Sequence, residues 1–301
     1  QPKDFRDIKA VCGDGRGGFL VIEGGNSVRR IAHFARGGTF IREWPTGQQF
    51  FNFSSFDPAD PSVVIYRGAP RIKTFAKCDY KNGSWKLTHE FKHDHFGTQI
   101  MPMPAHYSVT WHPVRRNGEL YLWAENGQRT AILHVDFKQN RLVPLVAAGS
   151  AHRINDEKGG PFVEARKKAG GEGNSFIWSD TNGNGEIDAD EVEVGNSLMT
   201  WGGASAFVDA DFNLYGSAGS KVRVLRNQTP HGPRPTWSSK GIETIATADH
   251  PEVATTGIGH GSTTGLHVRP DRTVYRVFAA NGYGHDRPAA ELGEHLGGPA
   301  F

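Results

Sequence analysis

Twelve residues, Asp180 to Glu191 (DTNGNGEIDADE), set oxygen-bearing groups at regular intervals along a short polar segment. Asp180, Asn182 and Asn184 stand at positions one, three and five. Glu186 at seven offers its backbone carbonyl, Asp188 follows at nine, and Glu191 at twelve can give both oxygens of one carboxylate. Gly185 falls at position six, where such a chain must turn sharply, and Ile187 takes the apolar eighth position. Calcium takes six to eight hard oxygens from alternate residues wrapped around one centre. The segment fits the D-x-[DN]-x-[DN]-G-x₅-E pattern at each specified position. Three carboxylates and no second loop imply weak binding, in the extracellular range of about 10⁻⁴ to 10⁻³ M.

The histidines are a second source of chemistry. There are 14, several of them clustered. One group, HEFKHDHFGTQIMPMPAHYSVTWHP, holds His89, His93, His95, His106 and His112. Another, GIGHGSTTGLHV with GYGHDRP, holds His260, His267 and His285. Imidazoles that converge in one channel could bind a transition metal or act as a general base. The candidates for that work are His95, His106, His260 and His285, with Arg115 to neutralise a substrate carboxylate. Together they would suit a metal-assisted carbohydrate lyase, or a hydrolase or lactonase. His33 and His134 lie inside strand-like runs, where packing is the expected role.

Other signals are weaker. GIGHGSTTG (257–265) lacks the Lys and following helix of a phosphate-binding loop, and no G-x-S-x-G elbow or C-x-x-C-H site occurs. Cys12 and Cys78 are the only cysteines. They read as free buried thiols, or as a disulfide if the compartment is oxidising. Trp44, Phe50, Phe51, Phe53 and Phe56 could form a platform for a sugar, though burial between sheets is the commoner fate of such rings.

These residues must be positioned by strands. Thirty-eight glycines and 17 prolines suit a fold rich in tight turns. Apolar runs recur between polar turns. Phe19 to Glu23, Arg30 to Phe34 and Thr39 to Trp44 form a first set. SVVIY, RIKTFAKCDY and SWKLTHEF form a second, with a hairpin signal at Asn82-Gly83. ELYLWAE, TAILHVDF and RLVPLVAAG form a third, turning at Gln139-Asn140. SFIWSD opens a fourth, FNLYGSAGSKVRVLRN and GIETIAT a fifth, and TVYRVFAANG a sixth. Sets spaced roughly 40 to 60 residues apart predict an all-β chain, a β-propeller of about six blades over residues 1–301, with a sandwich as the alternative. The sixth set breaks off at GGPAF, so its blade appears incomplete in sequence. Helical signal is scarce, and its best candidate is PFVEARKKAG (161–170), a surface turn with Pro at its start. SFIWSD follows AGGEGN, which cannot be a long helix, so the 180–191 loop is entered from a strand, with one helical turn expected at 190–192.

GDGRGGFLVIEGGNSVRRIAHFARGGTFIREW resembles an NHL-type propeller repeat, whose members carry a Gly-rich turn, an Arg-Ile pair on the second strand and a polar hairpin. The resemblance implies a six-bladed fold. Propellers of this kind include extracellular bacterial binding proteins, and similar folds include lyases and calcium-dependent lactonases. The 180–191 segment resembles the loop of an EF-hand without its helices. It therefore suggests a structural clip inserted in a blade connection, not a signalling switch.

A formal charge of +2 and no basic run longer than Arg166 to Lys168 argue against nucleic acid as partner. No apolar run approaches the roughly 18 residues of a membrane span. A chain beginning at Gln1 fits a product from which a secretory signal has been removed. The sequence thus leads to a secreted or periplasmic calcium-binding propeller that engages a glycan or an extracellular protein.

Overall fold

A computed structural model describes residues 5, 8–24, 29–45, 52–67, 72–79, 84–92, 110–125, 129–151, 160–171, 173–196, 198, 206–218, 221–232, 234–247, 266–268 and 273–276. Within these residues the chain is overwhelmingly β. Five antiparallel sheets follow one another in sequence order. The first is β1 (Ile8–Gly13), β2 (Phe19–Gly24), β3 (Arg29–Phe34) and β4 (Phe40–Pro45). The second is β5 (Asn52–Asp57), β6 (Asp60–Arg67), β7 (Ile72–Asp79) and β8 (Ser84–Lys92). The third runs through β9 (Thr110–Arg116), β10 (Glu119–Glu125), β11 (Arg129–Asp136), β12 (Arg141–Ser150), β13 (Ser175–Ser179) and β14 (Val192–Gly195). The fourth is β15 (Ala206–Val208), β16 (Leu214–Ala218), β17 (Lys221–Leu225) and β18 (Ile242–Thr247). A pair, β19 (Leu266–Val268) and β20 (Val274–Arg276), completes the described strands.

In each of these sheets neighbours in sequence are neighbours in space, the up-and-down order of a propeller blade. The elements fall into two compact units. One takes the first two sheets with residues 110–124 and 133–143; the other takes residues 125 and 129–132 and the described residues from 144 onward.

Two departures from the sequence reading have clear causes. SFIWSD does not open a sheet of its own. It is β13, which pairs with the long β12 from Ser150↔Ser175 to Val146↔Ser179. All five sheets also begin one strand earlier than the apolar runs suggest, at β1, β5, β9, β15 and β19. In IKAVCG, NFSSFD and TWHPVRR the apolar residues are broken up by polar or charged ones, so no apolar run is long enough to stand out. Pro113 fits because β9 lies at the edge of its sheet, where a missing N–H breaks no central ladder.

The first sheet shows why its strands read as continuous apolar runs. On one face Leu20, Ile22, Ile31 and Trp44 pack with Phe56 and Val64 of the second sheet. On the other, Val21, Ala32 and Phe34 pack with Phe5, Phe19 and Phe40. A sheet covered on both sides loses the alternation of a half-solvated one. The Arg-Ile pair divides its work accordingly. Ile31 enters the core, while Arg30, 8% exposed, reaches Glu23 at 2.7 Å and Glu43 at 2.7 Å. Trp44 and Phe56, weighed as a sugar platform, are buried; Phe50 and Phe51 lie outside the described residues.

One turn device repeats. Between the first and second strands of three sheets, an aspartate folds back onto its own turn. Asp14 Oδ1 accepts from the backbone N–H of Arg16 and Gly18, Asp57 Oδ1 from Ala59, and Asp209 Oδ1 from Asp211 and Asn213. Such Asx turns close a hairpin locally.

The helix α1 (Pro161–Lys168) forms where expected, with Pro at its start, and ends at Ala169 before Gly170 and Gly171, both at positive φ. It is more than a surface turn. Phe162 and Ala165 are buried, and the Phe162 ring meets Phe176 of β13 edge-on at 5.1 Å. Cys12 is a free thiol packed against the first core. Burial, then the nearby Asp14 charge, pushes its pKa up to about 12, which keeps it protonated and unreactive.

Candidate metal centre

The segment Asp180 to Glu191 connects β13 to β14, which pair from Ser175↔Gly195 to Trp178↔Val192. A strand enters it, as the sequence requires. The helical turn at its end is a 3₁₀ turn, Ala189–Glu191, one residue earlier than expected. The insertion lies inside one sheet, as the loop of its last hairpin, and is not a link between sheets. β13 is wholly buried, with Phe176, Ile177 and Trp178 in the core, so its end is fixed by packing. The Asp180 N–H donates to the Leu145 carbonyl at 2.8 Å, which continues the β12 ladder one residue past the strand. α1 packs against both the 3₁₀ turn and β14, supporting the far end of the loop.

The loop is then wound by its own side chains. Asp180 Oδ1 accepts from Gly183 N–H at 2.7 Å, Asn182 Oδ1 from Asn184 N–H at 2.9 Å, and Asn184 Oδ1 from Glu186 N–H at 2.7 Å. Gly183 and Gly185 supply the positive φ values, 82° and 75°, that this winding needs. The amide groups of Asn182 and Asn184 both donate to Asp188 Oδ2, at 2.7 and 2.9 Å.

Glu191 closes the loop and is 9% exposed. Its Oε1 accepts three hydrogen bonds, from Thr181 N–H at 2.8 Å, the Thr181 hydroxyl at 2.8 Å and Asn182 N–H at 3.0 Å. Its Oε2 is buried and has no hydrogen-bond partner. A buried carboxylate oxygen without a donor is costly, and a cation is one remedy for it. Asp180, 2% exposed, is the other buried carboxylate of the loop. Among the described residues no three His, Cys, Asp or Glu side chains gather as a metal cluster. An ion here would need the amide oxygens of Asn182 and Asn184 and the carbonyl of Glu186 beside the carboxylates, which is the donor mixture calcium accepts.

Four residues that sequence reasoning missed complete the surroundings. Arg234 Nη1 donates to Asp180 Oδ2 at 2.7 Å, its side chain 42% exposed. A Cβ at Gly183 would lie 2.8 Å from the same nitrogen, so the turn and the guanidinium are in close contact. Ser179, directly before the loop, accepts from Trp237 N–H at 2.8 Å and donates to its carbonyl at 2.9 Å. The Trp237 indole N–H reaches the carbonyl of Phe212, a residue held at φ 63° in the β15–β16 turn. Thr181 contributes two of the three donors on Glu191. Arg234 and Trp237 lie more than 40 residues from the loop in sequence, and no spacing rule links them to it.

The residues singled out for catalysis fare differently. His95, His106, His260 and His285 lie outside the described residues. Arg115 is committed within its own unit. Both Nε and Nη2 engage the Asp57 carboxylate, Nε at 2.9 Å, and Nη1 donates to the Gly118 carbonyl. Four described histidines, His33, His134, His89 and His112, are held by packing or by carboxylates. His33 Nε2 lies 2.8 Å from Asp14 Oδ2, a contact that, with the Arg16 N–H, holds the Asp14 carboxyl below its usual range. His134 Nε2 lies 3.2 Å from Glu119, and His89 stacks on Phe91. His112 stacks on Trp123 with ring centres 3.9 Å apart. Burial drives its pKa down to about 4.

No protein-family model and no curated protein matches the chain. Solved structures with a similar chain path include a functionally unknown protein from Desulfotomaculum acetoxidans, 13% identical, with a TM-score of 0.42 over 92% of this chain and 67% of that one. A candidate 6-phosphogluconolactonase from Bacteroides uniformis is 11% identical, with a TM-score of 0.42 over 93% and 79%. The WD40 domain of SCAP from fission yeast is 10% identical, with a TM-score of 0.42 over 94% and 69%. At these levels the likenesses lend the chain neither a family nor an activity.

Proposed function

We propose that this chain is a calcium-binding β-propeller of about six NHL-like blades, acting in a secreted or periplasmic setting as a binding protein for a glycan or a protein. Calcium would be held by the side chains of Asp180, Asn182, Asn184, Asp188 and Glu191 and by the Glu186 carbonyl. Its contribution is structural: it would cross-link the two ends of the β13–β14 hairpin and neutralise the buried carboxylates there. Support for the propeller comes from successive antiparallel meanders, three of them four-stranded, the first covered on both faces. A ring of such sheets leaves loop-lined surfaces on which a partner can dock.

The observation that carries the calcium reading is the buried, partnerless Oε2 of Glu191 in a loop wound by the side chains of Asp180, Asn182 and Asn184. The expected affinity, about 10⁻⁴ to 10⁻³ M, matches calcium outside cells. The test is calorimetric titration of the chelator-treated protein with CaCl₂, with MgCl₂ as control. One calcium per chain is expected. Absence of calcium-specific heat, together with no metal in the purified protein by elemental analysis, would overturn the reading. A glycan array probed with and without calcium then tests the partner class.

A further inference from the structure

We infer that Arg234 is a built-in counter-ion to the calcium loop, holding Asp180 in the ion's absence and setting how weakly the ion binds. The inference rests on the calcium reading above. Asp180 is 2% exposed, and a carboxylate so buried requires a partner. Within the loop only the Gly183 N–H supplies one, on Oδ1. The remaining charge is met from outside, by Arg234 Nη1 at 2.7 Å on Oδ2.

The backbone that carries the guanidinium is held there by structure on its own side. Asn227 organises the segment that carries it. Its Oδ1 accepts from the backbone N–H groups of Thr229 and Thr236, and its amide donates to the Asp211 carbonyl. The Thr229 hydroxyl donates to the Arg234 carbonyl at 2.6 Å. Three residues on from Arg234, Trp237 is locked to Ser179, the residue before Asp180. The backbone at residues 234–237 is therefore fixed against the start of the loop from both sides. With its backbone anchored, the positive charge stays within side-chain reach when an ion enters; it must either turn away from Asp180 or remain as a neighbour of like sign.

Either course weakens calcium. A single positive charge on the far side of the Asp180 carboxylate would repel a divalent ion held by that group; at a separation on the order of 6 Å in water-like dielectric the repulsion would lower affinity roughly tenfold. The same charge stabilises the ion-free loop. Arg234 thus acts oppositely on the two states, which a merely structural arginine would not do.

The test uses the full chain with Arg234→Gln, Arg234→Met and Arg234→Lys, read by calcium titration and by melting in EGTA and in CaCl₂. The two uncharged variants should bind calcium roughly tenfold more tightly than wild type, while melting lower in EGTA. Arg234→Lys, which keeps the charge, should stay near the wild-type affinity. If wild type and the uncharged variants bind calcium equally, or if the Lys variant tightens as much as they do, the counter-ion role is overturned and the calcium site stands. If neither wild type nor variants bind calcium, the calcium reading falls and takes this inference with it. Should the uncharged variants not fold in EGTA, their affinity is measured by competing calcium off the folded, calcium-loaded protein with a chelator of known strength.

Discussion

Glu191→Gln isolates the buried carboxylate that argues for an ion. The substitution keeps size and shape and removes one charge. In the ion-free protein two effects oppose each other. Three hydrogen bonds to Oε1 fall from charge-assisted to neutral strength, a loss of about 1 kcal/mol each. Against this, a nine-tenths-buried charge with a partnerless oxygen is removed, a relief of several kcal/mol. The melting temperatures of wild type and variant in EGTA should therefore differ by no more than about 2–3 °C. Calcium separates them. At 10 mM CaCl₂ and a dissociation constant of about 10⁻⁴ to 10⁻³ M, linkage stabilises the wild type by about 1.4–2.7 kcal/mol. For a chain of 301 residues that corresponds to a rise of about 2–4 °C. The variant should show no rise, and MgCl₂ should move neither protein. Differential scanning fluorimetry in the four conditions gives the answer. A wild-type melt unchanged by calcium, or an equal rise in Glu191→Gln, would refute the reasoning.

Three further expectations concern the frame around the loop. Ser179→Ala leaves the buried N–H and carbonyl of Trp237 without their partner; it should cost about 2–5 kcal/mol in chemical denaturation, with or without calcium. Asp57→Ala strands the Arg115 guanidinium beside a fully buried position, a loss of about 2–4 kcal/mol after allowance for the partly exposed arginine. A substrate-binding role for Arg115 would instead leave stability unchanged. His112 is kept neutral by burial, so the unfolded chain takes up a proton below pH 6.5 that the folded chain refuses until about pH 4. Stability should fall across that window by up to about 3 kcal/mol, and His112→Phe, which preserves the stack on Trp123, should remove that part of the acid sensitivity.

Much of the local structure is written in the chain. Asn140 lies at φ 52° in the hairpin turn its sequence signals, and residues 79 and 84 pair across the expected Asn82-Gly83 turn. In the first sheet the strands read as continuous apolar runs because both of its faces are covered. What failed in reading was membership. β13 looks like the start of a unit, yet the ten-residue β12 is long enough to pair with it after a helical excursion, and no local property of SFIWSD records that.

The 180–191 segment divides the same way. Its amino acids alone dictate a loop wound by Asx turns and two positive-φ glycines, because those forces act between residues two or three apart. That Glu191 ends with one oxygen buried and unpartnered, that Asp180 faces Arg234, and that Ser179 is bolted to Trp237 are products of tertiary packing. They depend on segments more than 40 residues away being brought beside the loop by buried sheets. Hydrogen-bonding spacing is a local quantity, whereas burial and counter-charge exist only once the chain has closed on itself.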